Sequence, residues 1–243
     1  MPNTGETMNE FDDRIEYAAR HTEILRPPKQ ALSTFGTTYV YYYLVTEPSY
    51  SGLLDEGSTA ETVVREGTVI AERPRIVTPY YLAHLEGFSS EARRYFDMLV
   101  RTHGANAPGL FYAYKNETKG LSIVSENWLT VANRLNDEIE RRGDPLASII
   151  RGEDAFWDVS LLKFIYEMTR HSLQTNIMQM GRRGLLNVDA SGLPFDARLR
   201  IDEMFRQVIR GERDSQELKD ELDRWNVFSE YEDRFLSLFR RRS

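Results

Sequence analysis

Apolar positions along this chain follow two different rhythms. In the first half they cluster over short stretches. Residues 37–46 (TTYVYYYLVT) are dense in β-branched and aromatic side chains and predict a strand with two apolar faces, Tyr39/Tyr41/Tyr43/Val45 and Val40/Tyr42/Leu44. A strand apolar on both sides belongs in the middle of a sheet, covered on each face. Thr62–Arg65 and Thr68–Ala71 flank Glu66-Gly67, which reads as a hairpin turn, and Arg75–Val77 adds a short strand after Pro74. A second hairpin is expected from Leu110–Tyr114 to Leu121–Val124 across the turn-rich stretch Lys115–Gly120. Between these strands lies one helix, capped by Ser89 or Ser90, with Ala92, Tyr95, Phe96, Leu99 and Val100 on one stripe.

From Ser125 the rhythm becomes helical. Trp128, Val131/Ala132, Leu135 and Ile139 mark one amphipathic helix, ended by Gly143-Asp144-Pro145, with Asp137–Arg141 and Glu138–Arg142 spaced for i,i+4 pairing. Ala155–Met168 is apolar around most of its circumference, the pattern of a helix in the middle of a core, with Asp154 as its N-cap. A further stripe runs Phe195, Leu199, Met204/Phe205 and Val208 to Gly211. Capping boxes at Asp214–Glu217 and Ser229–Glu232 open the last two helices. Ahead of all this, Asn9–Leu25 carries a short helical stripe stopped by Pro27-Pro28. The expected fold is α+β: a small, mainly antiparallel sheet in the N-terminal half and a mostly helical C-terminal half. It divides into an acidic N-terminal arm (1–30), a β-rich part (31–125) and a helical part (126–243), with a single merged core as an equal alternative.

Composition narrows the chemistry. Hydrophobic residues at 41% and charged residues at 28% are those of a globular domain. The absence of cysteine excludes disulfides, thiolate catalysis, iron–sulfur clusters and cysteine-based zinc sites. It also removes the zinc-deaminase reading of His84-Leu85-Glu86, which needs a downstream Cys-x-x-Cys. The four histidines show no i,i+4 pairing, so no metal site and no cofactor is expected. A net charge of −7 argues against nucleic acid, and residues 198–243 balance basic against acidic side chains despite the Arg240–Arg242 tail. The tyrosines of residues 39–43 therefore read as packing residues and not as a base-stacking platform. No apolar run is long enough for a bilayer and the polar, acidic N-terminus is unlike an export signal, so a cytoplasmic protein without membrane partners is expected.

Two groups remain as site candidates. The segment Gly181–Pro194 is long for a helix–helix connection and gathers Arg182, Arg183, Asn187 and Asp189 among glycines, an arrangement suited to an anionic ligand. Glu167 and His171 share one helix face and would supply acid and base if the protein is an enzyme. Neither group matches a recognised catalytic motif. The leading expectation is a non-enzymatic interaction or regulatory module that self-associates or binds another protein. The alternative is a hydrolase or lyase acting on a small phosphorylated or carboxylated substrate.

Overall fold

The computed structural model describes residues 13–50, 60–78, 81, 101, 104 and 109–240. The helix expected over residues 92–100, along with His84, Glu86, His103 and Arg241–Arg242, lies outside them. The fold is α+β, with a five-stranded mixed sheet and helices concentrated in the C-terminal half. The chain forms two compact units, Met1–Arg73 with Tyr112–Asn176, and Pro74–Phe111 with Ile177–Ser243. Each of the stretches 31–125 and 126–243 thus contributes to both units. One reason is strand pairing: residues 147–153, far along the chain, insert into the sheet of the N-terminal half.

In the first unit, residues 13–20 are helical (α1) and are followed by β1 (Glu23–Arg26), β2 (Thr38–Glu47), β3 (Thr62–Ala71), β6 (Tyr114–Val124), α2 (Trp128–Arg142), β7 (Ala147–Glu153) and α3 (Trp157–Arg182), the last of which continues into the second unit. Two strands of the second unit, β4 (Arg75–Val77) and β5 (Gly109–Phe111), precede β6 in the chain. The sheet order is β1-β7-β2-β3-β6, antiparallel except for the β7–β2 pair. The twin apolar faces of β2 are both used. Val40, Tyr42 and Leu44 pack with Leu161, Phe164 and Met168 of α3, while Tyr43 and Val45 pack with Val131, Ala132, Leu135 and Ile139 of α2. Asn127 caps α2, accepting the Thr130 N–H at 3.0 Å, and Gly143 closes it in the left-handed region at φ 67°. Arg141 and Arg142 bond the Asp137 carbonyl and the Tyr43 hydroxyl, respectively, in place of the expected i,i+4 carboxylates.

Neither predicted hairpin forms. Thr62–Ala71 is one continuous strand, and Gly67 sits where the Tyr42 ring crosses it to bond Asn116 on β6 at 3.0 Å. A Cβ on Gly67 would lie 2.4 Å from the Tyr42 hydroxyl oxygen, so the glycine serves a close approach and not a turn. Lys115–Gly120 likewise lies within one long edge strand. A bulge between Glu66 and Gly67 leaves Lys119 as the extra residue on β6. Polar residues and a glycine suit such an edge as well as they suit a loop.

Residues 13–26 of the N-terminal arm are docked. Ala18 is buried, and the Lys163 ammonium donates to the carbonyls of Ala19 and Thr22 at 2.7 and 3.0 Å, capping α1. The helix ends before Leu25, which belongs to β1. Replacing Lys163 by Met is expected to cost about 1 kcal/mol and to speed hydrogen exchange in residues 13–22 while leaving β2 unchanged. Asp154 is not a helix cap. It pairs with Arg65 at 2.7 Å and accepts the Thr46 hydroxyl at 3.0 Å, tying the start of α3 to β2 and β3. Nor is α3 buried all round, for Leu162 and Tyr166 on its outer face are 65% and 63% exposed.

In the second unit β4 and β5 pair as a small antiparallel sheet. The helices α4 (Phe195–Arg210), α5 (Ser215–Arg224) and α6 (Phe228–Arg240) pack around Ile201, Phe205, Leu218, Leu222, Trp225 and Tyr231. The buried stripe of α4 is Ala197, Ile201, Met204/Phe205 and Val208. Phe195 and Leu199 fall on the adjacent, exposed face. Asp214 caps α5 as its box predicts, accepting the Gln216 N–H at 2.8 Å, whereas α6 begins one residue before Ser229.

Candidate functional site

The segment between α3 and α4 folds into a tight, self-bonded loop. Val188 and Pro194 form a β-bridge, and the Asp189 carboxylate accepts the backbone N–H groups of Ser191 and Leu193 at 2.9 and 3.1 Å. The same carboxylate binds the Ser191 hydroxyl and the Arg198 guanidinium. Arg198 in turn reaches Glu230 and the Tyr231 hydroxyl, both at 2.9 Å, so it fastens the loop to α6. Partial burial pushes the Asp189 carboxyl up, but the donors from Ser191, Arg198 and Leu193 outweigh that and hold it at about 2. A carboxyl with a depressed value stabilises the fold above its ordinary value of 3.8, and the contribution fades as pH falls towards about 2. The stability gap between the wild type and an Asp189→Asn variant is therefore expected to be constant near neutrality and to narrow across that acidic window. Denaturant titrations at stepped pH would measure it.

The loop brings together three of the four predicted ligand residues. Arg183, Asn187 and Asp189 line a shallow hollow of about 370 Å³ with Val188, Phe195 and Arg198, while Arg182 is exposed in the last turn of α3. The backbone cradle suggested by the glycines does not form. The N–H groups of Arg183, Gly184 and Leu185 donate to Met180, Gly181 and Met180 carbonyls, and Asp189 spends its lone pairs inside the loop. Of the four predicted ligand residues, anion recognition in this hollow would rest on Arg183 and Asn187.

Glu167 and His171 do not form an acid–base pair. Glu167 bonds Arg170 at 3.1 Å, one turn along the helix, and His171 is exposed. Among the described residues no group of three or more histidines, aspartates or glutamates is placed to hold a metal. Nor does any helix there have the length and apolarity to cross a membrane.

Two features escaped sequence reasoning. The first is a buried carboxylate in the second unit. Glu221 accepts Arg200 Nη2 at 2.7 Å, the Trp225 indole N–H at 3.1 Å and the Tyr81 hydroxyl at 3.0 Å, with Arg224 at 3.5 Å. Burial raises its pKa, but the charge and hydrogen bonds of Arg200 with those of Trp225 and Tyr81 bring it below the ordinary range. The i,i+4 spacing of Glu221 and Trp225 was visible in the sequence; the distant partners were not. Glu221, Arg200, Tyr81 and Arg224 line a polar cleft of about 360 Å³ in which arginines and carboxylates compensate one another.

The second feature is the outer edge of the sheet. β1 covers the β7 edge, whereas among the described residues β6 is hydrogen-bonded on one side only, to β3. Nine consecutive residues of its interior, Lys115 to Ile123, are exposed. Lys115, Glu117, Lys119 and the bulge guard its first part, in the way natural edge strands are kept from pairing. Gly120–Val124 carries no charge and presents Leu121 and Ile123, 61% and 54% exposed, on one face. Leu121 also shares a shallow cleft of about 420 Å³ with Arg65 and Trp157. No protein-family model, curated protein or solved structure matches this chain.

Proposed function

We propose that this protein is a non-enzymatic interaction module whose contact surface is the free edge of β6. The supporting observation is the contrast within one strand. Its first part carries the charges and bulge that discourage pairing, while Gly120–Val124 offers an open row of backbone donors and acceptors flanked by exposed Leu121 and Ile123. Strand addition uses such an edge: main-chain hydrogen bonds supply affinity and alternate side chains supply specificity. The hydrolase or lyase alternative has no comparable support, since Glu167 is held by Arg170 and His171 stands apart in solvent.

Because the chain has no cysteine, Ser122→Cys creates a unique attachment point for a photo-crosslinker, and Asn133→Cys on exposed α2 surface serves as the control. Irradiation of the labelled protein in extract of its native cells is expected to give a discrete adduct from position 122 and none from 133. Equal labelling from both positions, or no adduct from either, would contradict the reading.

A further inference from the structure

Resting on that reading, we infer that the strand added to β6 is β6 of a second copy, antiparallel and centred on Ser122. Three observations point to a copy over an unrelated chain. Leu121-Ser122-Ile123 is symmetric in character about its serine, so a two-fold axis there sets each Leu121 opposite Ile123 of the other copy. Strand alternation puts all four side chains on one face, the face of Val63 and Arg65, where Leu121 already borders Trp157. Each copy would thereby cover the apolar surface that the other leaves exposed.

Charge distribution supports the same register. Lys119 is the cation next to the uncharged segment, since Lys115 pairs with Glu117 at 2.7 Å, and a carboxylate lies after the segment, at Glu126, which holds Arg134 at 2.8 Å. Antiparallel pairing about Ser122 brings the Lys119 bulge of one copy to the Ser125–Glu126 end of the other, opposite charge to opposite charge. A parallel pairing would stack lysine on lysine, which is unfavourable. The bulge ends the pairing beyond Gly120, so the product is a closed dimer in which the two sheets join through β6 and the joined sheet ends in the short β1 of each copy. The paired segment is short for a permanent interface, so the dimer is expected to dissociate on dilution.

The test uses the register itself. Light scattering after size exclusion should give a concentration-dependent dimer for the wild type. Leu121→Lys and Ile123→Glu should each raise the dissociation constant about tenfold or more, with unchanged thermal unfolding because both positions are exposed. Mixing the two variants should restore a heterodimer, because the new lysine then faces the new glutamate while native Ile123 faces native Leu121. A wild type that stays monomeric at every concentration, or variants that dimerise as the wild type does, would overturn self-pairing. So would a mixture that stays monomeric, since the register would then be wrong. The crosslink at Ser122 separates this failure from that of the broader reading. An adduct identified by mass spectrometry as a different polypeptide removes the second copy but keeps β6 as the interaction edge. No adduct at all removes both.

Discussion

Replacing Glu221 by Ala is expected to destabilise the second unit by about 3–5 kcal/mol, the largest effect of any single side-chain truncation considered for this fold. The magnitude follows from what is left behind. Arg200 directs its Nε and Nη2 at this carboxylate, and the buried Trp225 indole and Tyr81 hydroxyl direct their donors at the same two oxygens. Truncation removes the acceptor of all three at once in a largely buried setting, leaving the Arg200 guanidinium, the costliest member, only Asp196 at 4.0 Å. Glu221→Gln keeps acceptor capacity and loses charge, so a smaller loss is expected. The pH behaviour supplies a second check. The Glu221 carboxyl lies below its ordinary value, so its contribution is complete above that value and declines as pH falls through the folded one. The Gln variant should lack this decline. Hydrogen exchange resolved over residues 195–235, in denaturant and at stepped pH, would register both outcomes.

Gly67→Ala should cost about 1–3 kcal/mol, although it adds one methyl group to a strand. The Tyr42 ring lies across β3 at this point, with its Cζ and Cε1 at 2.5 and 2.7 Å from where the new Cβ would be. The ring cannot swing clear, being fully buried between Leu44, Val69 and the α3 face and held at its hydroxyl by Asn116. The conflict is between two particular side chains, which makes it separable from any general weakness of the strand. In a Tyr42→Leu background the same glycine substitution is expected to cost much less, giving a clearly non-additive double-mutant cycle in urea unfolding. Additive costs would mean that the glycine matters for the bulge geometry and not for the ring.

Gly67 also illustrates where local reading of the chain succeeds and where it stops. β2, α2 and α5 were legible because their signals are local: apolar spacing, an Asp capping box, a closing glycine. Glu66-Gly67 was misread because a glycine admits a close neighbour as readily as a turn, and the neighbour, Tyr42, is distant in sequence. Lys115–Gly120 was misread for a related reason, since an edge strand facing water on both sides has the composition of a loop. The α4 stripe was right at Met204, Phe205 and Val208 and wrong only in its first part, because Phe195 and Leu199 look like core residues, yet the buried Asp196 beside them accepts the Ile76 N–H at 3.1 Å. Of the site candidates, the loop after α3 was recognised as unusual, but its carboxylate proved to be an internal fastening. The Glu221 cluster and the β6 edge depend on contacts between segments far apart in the chain, and no periodicity announces them.

The interaction reading makes its most direct claim about backbone amides. In the strand segment Gly120–Val124, those that point away from β3 have no strand partner among the described residues. Residue-resolved hydrogen exchange on dilute and concentrated protein would test whether they acquire one. The account predicts slow exchange at these amides in concentrated samples, lost on dilution and lost in the Leu121→Lys variant, with α2 amides unaffected throughout. Fast, concentration-independent exchange at the β6 edge would contradict it.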